Sequence, residues 1–557
     1  MMNDSFKDVI RDISTGFRAE APLPALFERL LMLSPRLWRW WDLGGRAMRR
    51  LAPGLCLERR GGEKPLVAVD LLPLLPGGAN GGAKVFTLSL LETMAAMAPD
   101  WTFALVAGPE VLPELKPLES ANLLLVPVDR TWQARPPRKL LKRPIDAWFC
   151  PFTRPYFQHP DIPLVSVIYD LQYHYYPQFF SDSEARGRDQ TFQLAARRSS
   201  RLACISDFVR QTVLEYGNLP PGKVRTVRIC LPQRLSVPAG EDVAAVLTRL
   251  GLVRRDYLIY PANFWAHKNH SVLLTALGLH VKANPDSSLK LVLTGADTGL
   301  APELRQAASA MGLSGRVVFT GYVSDEDLAA LTAGSLALIF PSLFEGYGMP
   351  VAEAMSMGVP VLCSDVTSLP EVGGDAVLYF DPRRPEDVAR AISRIACEPG
   401  LADALAAKGP GRAASLGGPE DMAQAYLDLL DEAMRGLGVQ SLACEGVDDA
   451  GHVAGWVFAA FGPASGRQWI EASFRHEGDR AVSFECFLNG KLLAPRRELQ
   501  PGETFAVRQL ASPYGGCLEI VFDLPSGCDS VAGLRCLTLR LTGGRTTDFP
   551  GSPPCSR

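Results

Sequence analysis

The sequence predicts a multidomain protein built from two consecutive α/β units with parallel sheets, a helical segment before them and an all-β unit after them. Three observations lead there. The chain has 557 residues, more than one hydrophobic core usually supports, so three or four structural units are expected. From about residue 65 to 432, short apolar runs alternate with helical segments, the pattern of a parallel sheet covered on both faces. Beyond about 440 that alternation stops, and strand-like runs follow one another with Gly, Pro, Asn and Asp between them.

The first segment, 1–62, is helical in pattern. Leu26, Phe27, Leu30, Leu31, Leu37, Trp38 and Trp41 alternate with Arg29, Arg36, Arg39, Arg46, Arg49 and Arg50. Such a segment suits either a membrane interface, which would give peripheral membrane contact through 20–60, or packing on the next domain. In the first α/β unit, 63–237, LVAVDLLPLL, TFALVAGP, LLLVPV, AWFCPF and PLVSVIYDL read as strands. VFTLSLLETMAAMA and SEARGRDQTFQLAARRSS read as helices. In the second, 238–434, YLIYPAN, LKLVLTG, RVVFTG, LALIFPS, VPVLCS and AVLYF read as strands. The last unit, 440–545, is expected to be a β-sandwich, with Asn489-Gly490 as a hairpin turn. The tail 546–557 is expected to be disordered.

Composition narrows the function. With 47% hydrophobic and 21% charged residues, a net charge of -3 and a pI near 6.2, the chain resembles an ordinary globular protein. Nucleic acid is not an expected partner, because domains that bind it are usually basic. The charged first residues lack a secretory pattern, and no segment holds about 18 uninterrupted apolar residues. A cytoplasmic location follows, with possible attachment at the inner face of the membrane. The twelve cysteines form no CxxC pair, so neither a zinc site nor a redox motif is indicated.

The densest stretch is LALIFPSLFEGYGMPVAEAMSMGVPVLCSDVTSLPEVGGDA. A strand runs into a loop bearing Glu345, Gly346 and Gly348, and Pro350 suits the first turn of the helix that follows. The amides and dipole of that helix end make an anion site suited to a diphosphate. Glu353 is expected in the first turn of the same helix. In LIYPANFWAHKNH a strand leads to a turn bearing Lys268, and in LLPLLPGGANGGAKVF Asn80, Gly81 and Gly82 precede a helix. A Gly-rich junction of this kind lets backbone approach a phosphate. Lys84 either reaches that phosphate or faces solvent.

The Glu345–Glu353 pair with seven residues between, the EGYGMP turn and the trailing GVPVLCSD and LPEVGGDA resemble the retaining glycosyltransferases of the GT-B fold, in family four. The likeness covers about 65–432 and is densest from Tyr260 to Asp375. It implies two Rossmann-like domains facing a cleft, the second holding a nucleotide-sugar donor. It gives Glu345 to the donor sugar, the amides of Gly346, Tyr347, Gly348 and Met349, ahead of Pro350, to sugar hydroxyls and phosphate, and Glu353 to the ribose. It gives Lys268 to the departing diphosphate, with His267 beside it, and Gly81 and Gly82 to the donor. Asn263 stands where the family usually has an arginine.

Tyr169 stands where the family usually has histidine, which leaves Asp170 for the acceptor, with His174 either substituting or simply packing. Ser206 is read as a helix cap. Tyr322 and Val323 fall where relatives contact the base. The resemblance implies retention of anomeric configuration, and no DxD-like metal pair stands out, so metal independence and no cofactor are expected. A saccharide acceptor, lipid-linked, in surface polysaccharide assembly such as O-antigen or capsule fits the basic stretch Arg130, Arg135, Arg138, Lys139, Lys142 and Arg143 with Trp132 and Trp148 close by. The alternative is a catalytically silent GT-B carbohydrate-binding or scaffold protein, which Asn263 and Tyr169 favour.

Overall fold

The computed structural model describes residues 65–435, apart from 78–79, 129–144, 157–161, 218, 231–234 and 236. Of the carboxy-terminal part it describes 442–448, 451–461, 469–488, 491–510, 516–522, 533–541 and 546–548. The helical segment 1–62 and the basic stretch 130–143 lie outside the described residues.

The first parallel sheet comprises β1 (Leu66–Asp70), β2 (Thr102–Ala107), β3 (Leu123–Pro127), β4 (Ala147–Cys150), β5 (Leu164–Ile168), β6 (Arg201–Cys204) and β7 (Val224–Thr226). Their spatial order is β3-β2-β1-β4-β5-β6-β7. β1, β2, β4 and β5 are buried along their whole length, which is why they read as continuous apolar runs rather than alternating ones. β7 has three residues, too few to show a period. Trp148 is 1% exposed in β4. It therefore belongs to the core, not to a basic-aromatic surface, because β4 is flanked by β1 and β5.

Helix α1 (Gly81–Met97) follows β1 and buries Phe86, Leu90, Leu91 and Met94. α2 (Asp182–Arg198) opens with a capping box in which Ser181 and Glu184 bond each other's backbone amides. α3 (Asp207–Gly217) is capped by Ser206, whose Oγ accepts from Val209 N at 3.1 Å.

The second parallel sheet holds β8 (Tyr257–Pro261), β9 (Lys290–Thr294), β10 (Val317–Gly321), β11 (Ala337–Phe340), β12 (Val361–Ser364) and β13 (Leu378–Phe380) in the order β10-β9-β8-β11-β12-β13. Around it lie α4 (His270–Ala283), α5 (Met349–Ser356) and α6 (Leu369–Gly373). α7 (Pro419–Arg435) crosses back to the first unit, where Tyr426 sits 5.9 Å from Phe86 and 5.5 Å from Phe149. In both sheets the strand order reverses, between β1 and β4 and between β8 and β11. The crevice outside the carboxyl ends of the strands at such a reversal is where ligands bind in open α/β sheets.

The carboxy-terminal part is a β-sandwich of two antiparallel sheets. One is β14 (Leu442–Val447), β15 (Val453–Phe461), β20 (Gly516–Phe522), β17 (Val482–Leu488) and β18 (Lys491–Leu499). The other is β19 (Thr504–Leu510), β16 (Trp469–His476), β21 (Leu534–Leu541) and β22 (Thr546–Asp548). Phe474 of one sheet meets Phe522 of the other at 5.9 Å in a shared core. Leu488 pairs with Lys491, and the expected hairpin turn at Asn489-Gly490 lies outside the described residues. The expected disorder from 546 does not hold for Thr546–Asp548, which pair with β21.

Candidate active site

The reversal point of the second sheet, between β8 and β11, gathers Asn263, His267 and Lys268 from one strand end and Glu345 to Glu353 from the other. β11 runs into the loop carrying Glu345, and Gly348 takes the N-cap position of α5 with φ of 109°. Only glycine enters that region without strain. The amides of Gly346, Tyr347, Gly348 and Met349 have no hydrogen-bond acceptor among the described residues. They stand at the amino-terminal end of α5, where unpaired amides and the helix dipole favour an anion. The helix begins at Met349, so its first turn holds no acid. Glu353 therefore stands in the second turn, not the first, where it is 5% exposed.

Lys268 Nζ donates to Glu345 Oε1 at 2.6 Å, both side chains being largely buried. The turn that carries Lys268 is tied to the Glu345 loop at two further points. Leu343 N donates to His267 O at 2.8 Å, and Tyr260 Oη bonds both Lys268 O at 2.8 Å and Ser342 Oγ at 3.2 Å. His267 is pushed down to about 4, first by burial and then by the Lys268 charge, so its imidazole is neutral at physiological pH. Asn263 accepts from Ala296 N at 2.8 Å and so ties the ends of β8 and β9 together.

The first unit meets this loop directly. A Cβ on Gly346 would stand 2.2 Å from Tyr169 O, and one on Gly82 would stand 2.3 Å from Met349 Cε. Asp170 accepts from Gln172 N at 3.1 Å. Burial raises its pKa, and the charges of Glu345 and Lys268 also bear on it, so the structure brings Asp170, Glu345 and Lys268 into one field. Tyr169 turns its side chain inward: its hydroxyl donates to Pro151 O at 2.7 Å and its ring meets Phe86 edge-on at 5.9 Å. His174 packs rather than replacing a cleft histidine, stacked on Tyr216 at 4.0 Å.

Lys84 neither reaches toward a ligand nor faces solvent. Its Nζ donates to Gly77 O at 2.8 Å, to Leu75 O at 3.1 Å and to Glu114, whose other oxygen accepts from Gly77 N at 2.8 Å. Together with Asn80, which accepts from Leu75 N at 2.6 Å, it braces the loop before Gly81 from within. Gly81 itself is exposed at the start of α1.

Tyr347 is 3% exposed, so its side chain lies in the interior and only its backbone faces the loop. Tyr322 is 76% exposed and Val323 half-buried, just beyond β10. Gly321, which precedes them, lines a cavity of about 140 Å³ with Phe264, Gly295, Asp297, Arg305 and Phe319.

Sequence reasoning passed over four further contributors. Thr367 Oγ1 accepts from Glu345 N at 3.1 Å, and Ser368 Oγ donates to Glu345 O at 3.0 Å and Tyr347 O at 2.9 Å. Glu371 lies three residues further on, in the first turn of α6, and its run, LPEVGGDA, was the available signal. Arg188 on α2 lies over the Phe180 ring at 4.7 Å, and its positive charge bears on Asp170 and His267.

Residues 255–398 match the family "Glycosyl transferases group 1". O-antigen chain mannosyltransferase B of Escherichia coli is 29% identical over 237 residues, 42% of this chain and 62% of that protein. O-antigen chain mannosyltransferase RfbU of Salmonella typhimurium is 24% identical over 242 residues, 42% of this chain and 63% of that protein. The chain thus spans somewhat under two thirds of the length of these relatives.

Among solved structures, HepE of Anabaena in complex with UDP and glucose aligns at TM-score 0.52 and 16% identity, over 66% of this chain and all of that one. WaaG, a glycosyltransferase involved in lipopolysaccharide biosynthesis, aligns at 0.51 and 15%, over 66% and 99%. The α/β part of the chain has the GT-B fold, and its second unit carries a glycosyl transferases group 1 domain.

Proposed function

From a GT-B fold whose second unit is a group 1 domain, we propose that this protein moves a hexose of the mannose or glucose type from a nucleoside-diphosphate sugar to a saccharide acceptor, with retention. The observation that carries this is the buried Lys268–Glu345 pair beside the free amides of Gly346 to Met349. An anionic diphosphate at those amides gains the helix dipole and the Lys268 ammonium, which stabilise charge as it develops on the leaving group. Lys268 holds the Glu345 carboxylate while the Thr367 and Ser368 hydroxyls hold its backbone, so the side chain is placed before the sugar arrives.

The remaining roles are proposed from the family resemblance. Glu353, buried one turn into α5, is assigned to the ribose. The cavity beside Gly321, with the exposed Tyr322 ring and Val323 at its edge, is assigned to the base. Asp170 and the Gly81–Gly82 junction approach from the first unit and are assigned to the acceptor side and the donor phosphates. With Lys268 and backbone amides countering the diphosphate charge, the reaction is proposed to need no metal. A GDP- or UDP-linked sugar is the expected donor.

Two relatives are mannosyltransferases of O-antigen chains, which supports a lipid-linked polysaccharide acceptor at the cytoplasmic membrane face. The test is incubation of the full chain with radiolabelled GDP-mannose and UDP-hexoses, acceptor glycolipid and EDTA. Label entering the glycolipid with an α-linkage is expected. Absence of both transfer and donor hydrolysis with every donor would overturn the proposal in favour of a silent scaffold.

A further inference from the structure

Glu371 touches neither the Lys268–Glu345 pair nor the free amides, yet it joins the two sides of the cleft. On the side of the second unit, the segment Thr367–Glu371 holds the donor loop. Thr367 adopts φ of 56°, a left-handed conformation that is uncommon for a β-branched residue and signals local strain. In this conformation its Oγ1 receives Glu345 N, while the buried Ser368 hydroxyl reaches the carbonyls of both Glu345 and Tyr347. Leu369 lies beneath Gly348, where a Cβ would stand 2.6 Å from Leu369 Cδ2.

On the side of the first unit, the Glu371 carboxylate sits on the amino-terminal end of α3. It accepts from Asp207 N at 2.9 and 3.0 Å and from Phe208 N at 3.3 Å. Arg228 Nε donates to it at 2.9 Å and also pairs with Asp207. A carboxylate that meets unsatisfied helix amides and a guanidinium together makes charge-assisted bonds, the stronger kind.

Glu371 is held from behind as well, because Arg412 donates to Glu371 O at 2.5 Å and to Val372 O at 3.0 Å. Phe344 adds an apolar contact across the same boundary, with Phe208 at 5.6 Å and Tyr175 at 5.4 Å. The two stretches that cross between the units also run side by side, with Cys230 Sγ 3.3 Å from Leu416 O.

We infer that Glu371 is a positioning residue that couples closure of the two α/β units to the shape of the donor loop. Seating its carboxylate on α3 fixes α6, which fixes Thr367 and Ser368, which in turn hold Glu345 and the Gly346–Met349 amides. The inference rests on the proposed donor role of that loop. It also gives the strain at Thr367 a use, since a strained turn persists only where its surroundings hold it and relaxes when a partner leaves.

The test compares the wild-type chain with Glu371→Ala, Glu371→Gln and Arg228→Ala. Small-angle scattering with and without GDP or UDP reads closure, thermal shift reads nucleotide binding, and radiolabel transfer reads turnover. Glu371→Ala is expected to increase the radius of gyration of the nucleotide-bound form and to lower kcat by roughly 10- to 100-fold, the loss expected from small misplacement of reacting groups. Its nucleotide affinity should stay within about threefold of wild type, because the free amides and Lys268 remain.

Glu371→Gln, which keeps an acceptor and loses the charge, should fall between, and it carries the same test if the alanine variant does not fold. Arg228→Ala combined with Glu371→Ala should be no worse than Glu371→Ala alone, as expected for residues acting as a unit. Wild-type radius and wild-type kcat in Glu371→Ala would overturn the inference. So would a loss of nucleotide binding at unchanged radius, which would place Glu371 in the donor site itself. Should the wild type transfer no sugar, the proposed function fails while the scattering comparison still decides the coupling.

Discussion

Two strand-to-helix junctions in this molecule look alike on paper and differ in what their lysines do. Both lie at the reversal point of a parallel sheet and both pair a lysine with a glutamate, but only the first is glycine-rich, the second, 262–269, having no glycine at all. Before α1, Lys84 spends its three ammonium protons on Gly77 O, Leu75 O and Glu114. Between β8 and α4, Lys268 meets a single oxygen, Glu345 Oε1, among the described residues. An ammonium has three donors and no acceptor, so Lys84 is saturated whereas Lys268 retains capacity for a ligand. Glycine content is therefore a poor guide to an anion site, and the unsatisfied donors are a better one.

The largest expected effect separates the two lysines. Lys268→Ala should lower kcat by roughly 10²- to 10³-fold, the size seen when one donor to a developing anion is removed, and should also cost stability, because it leaves the largely buried Glu345 carboxylate without its partner. Lys84→Ala should cost about 1–3 kcal/mol of stability, from polar groups left unpaired, with turnover reduced far less. Transfer assays and urea unfolding on both variants check this. Equal kinetic losses would remove the distinction.

Next in size is Gly346→Ala. A Cβ there would meet the Tyr169 carbonyl at 2.2 Å, which is backbone and not a side chain that can swing aside. The variant should push the units apart and lose most transfer, whereas Gly81→Ala should lose much less, because a Cβ at Gly81 meets nothing within 4 Å and only its φ of 50° opposes the change. Comparable losses in the two would show that contact across the cleft is unimportant.

A smaller effect should appear with pH. His267 and His270, on either side of Lys268, are both held down to about 4, chiefly by burial. Between about pH 6.5 and 4 the unfolded chain therefore binds more protons than the folded one, and stability should fall as pH drops through that window. Asp170, raised by burial, works in the opposite sense: its share of stability is lost as pH rises through its folded pKa. Unfolding midpoints from pH 8 to 4.5 for wild type and His267→Gln test this, the variant being expected to show a shallower decline. Identical slopes would remove His267 from the explanation. Least affected should be Tyr322→Ala, expected to change donor KM by about threefold, since loss of one exposed aromatic contact is a modest perturbation.

The contrast between the junctions also shows what the sequence could reveal. The second α/β unit was legible because strands buried on both faces read as apolar runs, and because Glu345, Gly348, Pro350 and Lys268 are local to their turns. Glu353 was placed one turn too early, since the helix begins at Met349, ahead of Pro350, with Gly348 as its cap. The role of Lys84 was not legible because Glu114, thirty residues away, decides it. Thr367, Ser368 and Glu371 were hidden for a similar reason: a hydroxyl bonded to a distant carbonyl, or a carboxylate seated on the helix of another unit, leaves no periodic trace. Trp148 showed the opposite error, its closeness in sequence to arginines suggesting a surface that the sheet rules out.

The central claim is that the Lys268–Glu345 pair and the amides beside it form the transferring site. The most direct measurement is sugar transfer from radiolabelled donor by Glu345→Gln alongside wild type, with nucleoside diphosphate binding followed by thermal shift in the same preparations. Transfer should be reduced at least about a hundredfold, as for a group oriented on the reacting sugar, while nucleotide binding persists. Near-normal turnover by a folded Glu345→Gln protein would contradict the assignment.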